Sequence, residues 1–250
     1  PQILRVGIWE ILEDLRRNET ELRQHLQDFH DPLFLALQDD LQRWFLKYSV
    51  QNPDPENPEK ERRVWDVLSM QREQVMASIA EAIDELFGSL LDEDTDLFNE
   101  ELDAAAMDGS LRQLWLLELS GMPMAPAADL LPDIDERHAL LLAGGALGIN
   151  WLVRLQRWEA ESRYQAQQWL RTAIISGQTL PDTLTGVTAI RQQFDARVTG
   201  LLANEIHRAY VLGGSIAVRA AMLNDGEFDL IWVAEDTTSI WRGLLCQGTN

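Results

Sequence analysis

Glu205, His207 and Arg208 fall within one helical turn, and Asp236 follows further along the chain. Two carboxylates and an imidazole are the groups that general acid–base or metal-assisted hydrolysis uses. Such chemistry needs them in one pocket beside a nucleophile or metal partner, and the sequence offers none at suitable spacing. A bracing role asks for less. Glu205 and Arg208 are three apart on one helix face, so they can pair with each other or reach across a helix junction. Tyr210 adds a ring whose hydroxyl can fix a neighbouring loop, and Trp232 on a strand can pack over the same helix. Glu205, Arg208, Tyr210, Trp232 and Asp236 are thus expected to be structural and interaction residues. Glu205, His207 and Asp236 form the one catalytic set an enzyme could use.

The remaining chemistry-bearing stretches fail their own tests. Asp92-Glu93-Asp94-Thr95-Asp96 has a calcium-loop look, but Leu97 stands where the turn requires Gly and Asp103 where the bidentate Glu belongs. A solvated helix entry accounts for it better. None of His25, His30, His138 and His207 forms a two-on-one-face zinc pair with an adjacent Glu. Ala143-Gly144-Gly145-Ala146-Leu147-Gly148 lacks the Lys-Ser/Thr ending of a phosphate loop and follows a helical run rather than a strand. Thr237-Thr238-Ser239 has hydroxyls without a base, and the single cysteine, Cys246, excludes an internal disulfide. No cofactor and no metal are expected.

The elements that must position these residues are helices. Leu4, Ile8, Ile11, Leu12 and Leu15 recur at three- and four-residue spacing, the stripe of an amphipathic helix reaching about His30. Asp31-Pro32 should stop it and start a second helix, Leu33 to Tyr48. Residues 51–60, QNPDPENPEK, read as a linker. A helix from Arg62 to Phe87 capped by Gly88 should follow, then shorter ones over Thr95–Met107 and Ser110–Leu119. Residues 120–132, with three prolines, form a second loop. Beyond it the pattern predicts a helix from Ile134 to Leu142 and a glycine joint at Gly144-Gly145. A long helix from Asn150 to Ser176 stopped by Gly177 follows, then a helix opened by Pro181-Asp182 and running to Phe194. A last helix should start at Asp195 and run to about Asn224. Asn224-Asp225-Gly226 marks a turn, and Phe228–Ala234 is the one convincing strand. The expected fold is mostly α, with Pro-rich joints and a small C-terminal α+β module. It divides into an acidic helical region, residues 1–132, and a C-terminal region, residues 133–250.

Charge separates the same two regions. The net charge is −20, and residues 1–137 carry −19 of it, while residues 138–250 carry −1. Residues 81–108 hold eleven carboxylates and no basic residue. Direct DNA binding needs clustered Lys/Arg that displace counterions, so no specific nucleic-acid contact is expected. Nineteen of the 21 basic residues are arginines, suited to fixed carboxylate pairs. The longest apolar stretch, around Ala139–Trp151, is too short to span a bilayer, and no secretory signal opens the chain. The chain is expected in the cytosol or inside a particle.

The order of signals over residues 165–250 resembles the C-terminal module of the Mu F-type head-morphogenesis (minor head) proteins of tailed phages. Trp169-Leu170-Arg171 through Gly177 are similar to that module's first helix and its glycine stop. Leu202-Ala203-Asn204-Glu205-Ile206-His207-Arg208-Ala209-Tyr210 is similar to its Thr-Glu-x-x-Arg-Ala-Tyr helix. Trp232, Asp236, Thr237-Thr238-Ser239 and Arg242 follow as its strand and loop do. The chain departs from the pattern at Asn204, where the family has Thr, and at Trp241, where it tends to place a first cysteine. The resemblance covers about a third of the chain. It implies a structural minor head protein, not an enzyme, working with the portal protein or the major capsid protein in head assembly, packaging or ejection. It also implies a place in the virion, at the head interior or portal vertex, after assembly in the host cytoplasm. Trp9, Trp44, Trp65 and Trp115 are candidate contacts. The rival expectations are a phage-associated enzyme, a nuclease or toxin-like transferase, and a helical adaptor with no phage role.

Overall fold

The computed structural model describes residues 2–56, 61–119, 139, 141–142, 150–225, 231–234 and 244–247. Its helices with defined bounds among the described residues are α1 (Gln2–Lys47), α2 (Ser69–Leu119), α3 (Trp151–Ile175) and α4 (Leu180–Asp225). Two antiparallel strand pairs accompany them, β1 (Ser49–Pro53) with β2 (Glu61–Trp65) and β3 (Ile231–Ala234) with β4 (Leu244–Gln247). The chain is mostly α, as its periodicity implies.

The helices are fewer and longer than their local punctuation suggests. α1 runs through Pro32 without a break, because its buried stripe holds phase across the proline: Leu22, Leu26, His30, Phe34, Leu37, Leu41 and Phe45. Proline removes the bond to the Asp28 carbonyl, but Asp28 is exposed and water can take that group. α2 likewise passes Gly88 and Thr95, since Ile83, Phe87, Leu90, Phe98 and Leu102 continue one buried face. Gly88 is therefore no cap, and the two shorter helices expected after it are parts of α2. α4 runs through Asp195 for the same reason, with Val187, Phe194, Val198 and Leu202 in phase.

The expected 51–60 linker and the expected helix start at Arg62 are together a β-hairpin. β1 pairs with β2 in the register Ser49↔Trp65 to Pro53↔Glu61, and residues 57–60 lie outside the described part. Trp65 anchors it. Its ring meets Phe45 edge-on at 4.9 Å, its indole N–H donates to Thr183 Oγ1 at 3.1 Å, and its backbone N–H donates to the Gln178 carbonyl at 3.1 Å. The hairpin is thereby tied to the α3–α4 turn. That turn follows the expected chemistry. Asn150 caps α3 by accepting from the Leu152 N–H at 2.7 Å, and Gly177 takes the left-handed φ of 64° just past its end.

α2 packs along α4, α3 lies against both, and α1 covers α4 and α2. One hydrophobic cluster runs from Leu22 to Ala209 and takes residues from both sides of position 132. Of the candidate contact tryptophans, Trp65 is core, Trp44 is half-buried against it and Trp115 is exposed. The side chain of Trp9 lies outside the described residues, as do the glycine joint at Gly144-Gly145 and most of the Ile134–Leu142 segment. The strand expected over Phe228–Ala234 is present from Ile231, and among the described residues it is one of four strands.

Candidate functional site

The best-defined polar cluster lies where α1, α2 and α4 meet. His30 occupies a core position of α1, four residues after Leu26 and four before Phe34, and is 1% exposed. Its Nδ1 is 2.7 Å from Asp195 Oδ1 on α4, and its Nε2 is 2.9 Å from Asp94 Oδ1 on α2. Both ring nitrogens face carboxylates, and where those carboxylates are ionised both nitrogens donate and the ring is the doubly protonated imidazolium. Burial alone would depress its pKa. The hydrogen bonds to Asp195 and Asp94 and their charges override that and lift it to about 9. Arg191 extends the chain of charges, donating from Nε to Asp195 Oδ2 at 3.2 Å and pairing with Asp31. Phe194 and Phe29 close over the imidazole with ring centroids 5.8 and 6.1 Å away.

Asp94 is also 1% exposed. Burial pushes its carboxyl up, against the pull of His30. Its Oδ2 has no hydrogen-bond partner among the described residues. The expectation of a solvated helix entry at Asp92–Asp96 therefore fails at Asp94, which turns into the core in the middle of α2. Asp195, expected to open a helix, stands inside α4 and faces His30. Sequence reasoning missed this site, although a signal existed: His30 and Asp94 are polar residues standing in apolar stripes.

The predicted residues form a second cluster. Glu205 is fully buried on α4. Arg208 Nε donates to its Oε2 at 2.6 Å, and Arg154 on α3 stands 3.9 Å from its Oε1. Arg208 also donates to the carbonyl of Leu141. The pair thus does both things its spacing allows, closing on itself and reaching across a junction. His207 is half-buried, and burial lowers its pKa to about 4. It is neutral at neutral pH and a weak base there. Tyr210 packs against the core, and its backbone meets Gly109 of α2 closely. Trp232 lies on β3 opposite Cys246 of β4, with its side chain outside the described residues, and Asp236 lies outside them altogether.

Comparison with family models, curated proteins and solved structures finds no match. The site must be read from its own geometry. Among the described residues no group of three or more His, Cys, Asp or Glu side chains could hold one metal ion, and no helix is long and apolar enough to cross a membrane. The buried charges of both clusters are spent on one another across helix junctions. Arg208→Lys keeps the charge but loses the planar fork that serves Glu205 and Leu141 together. It is expected to cost about 1–2 kcal/mol, read as a lowered urea midpoint; an unchanged midpoint would show that the junction does not depend on the fork.

Proposed function

We propose that the chain is a structural minor head protein of a tailed phage. It docks on the portal or the inner capsid wall and acts in head assembly, DNA packaging or ejection, working in the head interior after assembly in the host cytoplasm. The observation that carries this reading is the use made of the residues on which the family resemblance rests. Glu205 and Arg208 tie α4 to α3 and to the Leu141 segment. They are brace residues, suited to a part that bears assembly contacts. His207, neutral and weakly basic, adds no argument for turnover. The charge of −19 over residues 1–137 suits a component that lies near packaged DNA without adhering to it.

The test is expression together with any portal and major capsid genes that adjoin its own, followed by co-purification and imaging of the particles. Density for this chain at the portal vertex or inner wall is expected. A chain that stays free of both proteins, in particles that package and eject normally without it, overturns the reading.

A further inference from the structure

α3 buries one side against α2 and α4 and turns the other to solvent. Along the outer side Val153, Arg157, Tyr164, Arg171 and Ile175 follow in steps of four, seven, seven and four. At 3.6 residues per turn these steps keep them within about 40° of one line, in a row about 33 Å long. Val153, Tyr164 and Ile175 are 53%, 62% and 52% exposed, so three large apolar side chains of the row stand in water. The helix carries four arginines and two glutamates. Arg154 stands against Glu205, Arg163 against Glu159 and Asp84, and Glu161 is taken by Arg197 of α4. Arg157 and Arg171, the two arginines of the row, are exposed and make no ion pair among the described residues.

α2 presents a complementary row. Glu81, Glu85, Asp92, Asn99 and Asp103 repeat the same steps of four, seven, seven and four. Glu81, Glu85, Asp92 and the neighbouring Asp96 are exposed and make no ion pair among the described residues. Gly88 leaves a gap in the row, where an added Cβ would meet nothing within 4 Å. The steps read the same in both directions. Whichever way two such helices run, Arg157 and Arg171 therefore face Glu85 and Asn99, with Asp96 and Asp103 a turn to either side of Asn99. Tyr164 comes to Asp92, beside the gap at Gly88. We propose that α3 of one copy docks on α2 of a second copy, joining the chains head to tail. Burial of Val153, Tyr164 and Ile175 supplies most of the attraction, because exposed ion pairs contribute little each. The arginines fix partner and register. Pairing like with like fails: α3 on α3 about a two-fold axis sets Arg157 opposite Arg171, and α2 on α2 sets carboxylate against carboxylate. A head-to-tail contact leaves a free row at each end, so the assembly grows into a ring or a filament and does not stop at a dimer. The inference rests on the two rows and does not depend on the phage reading.

The test is sedimentation velocity of the full 250-residue chain from micromolar to hundreds of micromolar. The mass should climb past that of a dimer as concentration rises, and fall back as salt is raised from about 0.05 to 0.5 M. The variant Arg157→Glu, Arg171→Glu should associate at least about tenfold more weakly, and so should Glu85→Arg, Asp96→Arg. All four positions are exposed, and circular dichroism checks that both variants are folded. Mixing the two variants should restore association, because each supplies the row that the other's reversed row now needs. Both remain strongly negative overall, so a general attraction between them cannot produce the rescue. A control with the charge change of the α3 variant placed at other exposed positions, Lys47→Glu, Arg62→Glu, should associate as the parent does. A parent that stays monomeric at every concentration overturns the proposal, as does a dimer indifferent to both reversals. A mixture no more associated than its two parts overturns it too, and so does a control that loses as much as the α3 variant.

Discussion

Replacing His30 with Leu should lower the unfolding free energy by about 3–5 kcal/mol, the cost of leaving a buried carboxylate without its cation. Asp94 is 1% exposed, and the imidazolium is its one hydrogen-bond partner among the described residues. The effect is large against the roughly 5–15 kcal/mol that holds an ordinary domain together. Asp195 suffers less, because Arg191 remains to pair with it. Most of the loss should return in the double variant His30→Leu, Asp94→Leu. That chain has no buried charge to strand, and its new side chains meet the apolar surroundings of Phe29 and Phe194. Urea midpoints of the parent, single and double variants check the scheme. A single variant as stable as the parent would show that the bridge does not hold the three helices.

The same bridge sets a pH dependence with a definite sign. A histidine raised from 6.5 to about 9 in the folded chain binds its proton more tightly there than when unfolded. Its contribution, about 3 kcal/mol from the size of that rise, is therefore complete below pH 6.5. It drains away between pH 6.5 and 9. The parent should lose stability over this interval while the His30→Leu chain changes little. Self-repulsion among the surplus carboxylates is common to both chains and cancels in the difference. A parent curve parallel to the variant's would mean that the imidazole is not charged between its two aspartates.

The mostly α fold was legible because stripes of apolar residues are written locally, and so were the caps of α3. Asn150 and Gly177 act within a few residues of where they stand. Pro32, Gly88 and Asp195 misled for a related reason. Each is a genuine local signal against continuing a helix, worth about 3 kcal/mol for the proline, about 1 for the glycine and about 0.5 for the aspartate. Each is outweighed by the buried residues on both sides, at about 1.5–3 kcal/mol apiece. A breaker decides a helix end only where the buried stripe also loses phase, as it does after Ile174. The β1–β2 hairpin was hidden because its anchor is remote: Trp65 finds Thr183 and Gln178, which no window around residue 65 contains. The site was half legible. His30 and Asp94 each interrupt an apolar stripe at a four-residue step, which marks them as buried polar groups in need of partners. That they are each other's partners, 64 positions apart, is a matter of how α1 crosses α2. Glu205 and Arg208 could be paired from the sequence because their separation is one helical turn.

The crossing of α2 and α4 rests on glycines whose role appears only in three dimensions, and Gly213→Ala tests it with a reversal of sign. Alanine is the better helix former by about 1 kcal/mol, so an unconstrained helix would gain from the change. At Gly213, however, a Cβ would fall on the backbone carbonyl of Ala106, and at Gly109 it would fall on that of Tyr210. These obstacles are main chain and cannot swing aside. The two helices would have to separate, giving up the contact of Ser110 Oγ with the Gly213 carbonyl at 2.8 Å and loosening the surrounding core. Over-packing of this kind costs about 1–3 kcal/mol, and more where the backbone must move. The packing term therefore wins, and Gly213→Ala should destabilise by about 2–4 kcal/mol. Gly88→Ala is the matched control. It is also inside α2, a Cβ there meets nothing within 4 Å, and it should stabilise by about 0.5–1 kcal/mol. Thermal unfolding of the two variants should shift in opposite directions. Were both to rise, α2 and α4 would not approach closely enough to require glycine, and the frame that carries both buried charge clusters would be looser than drawn.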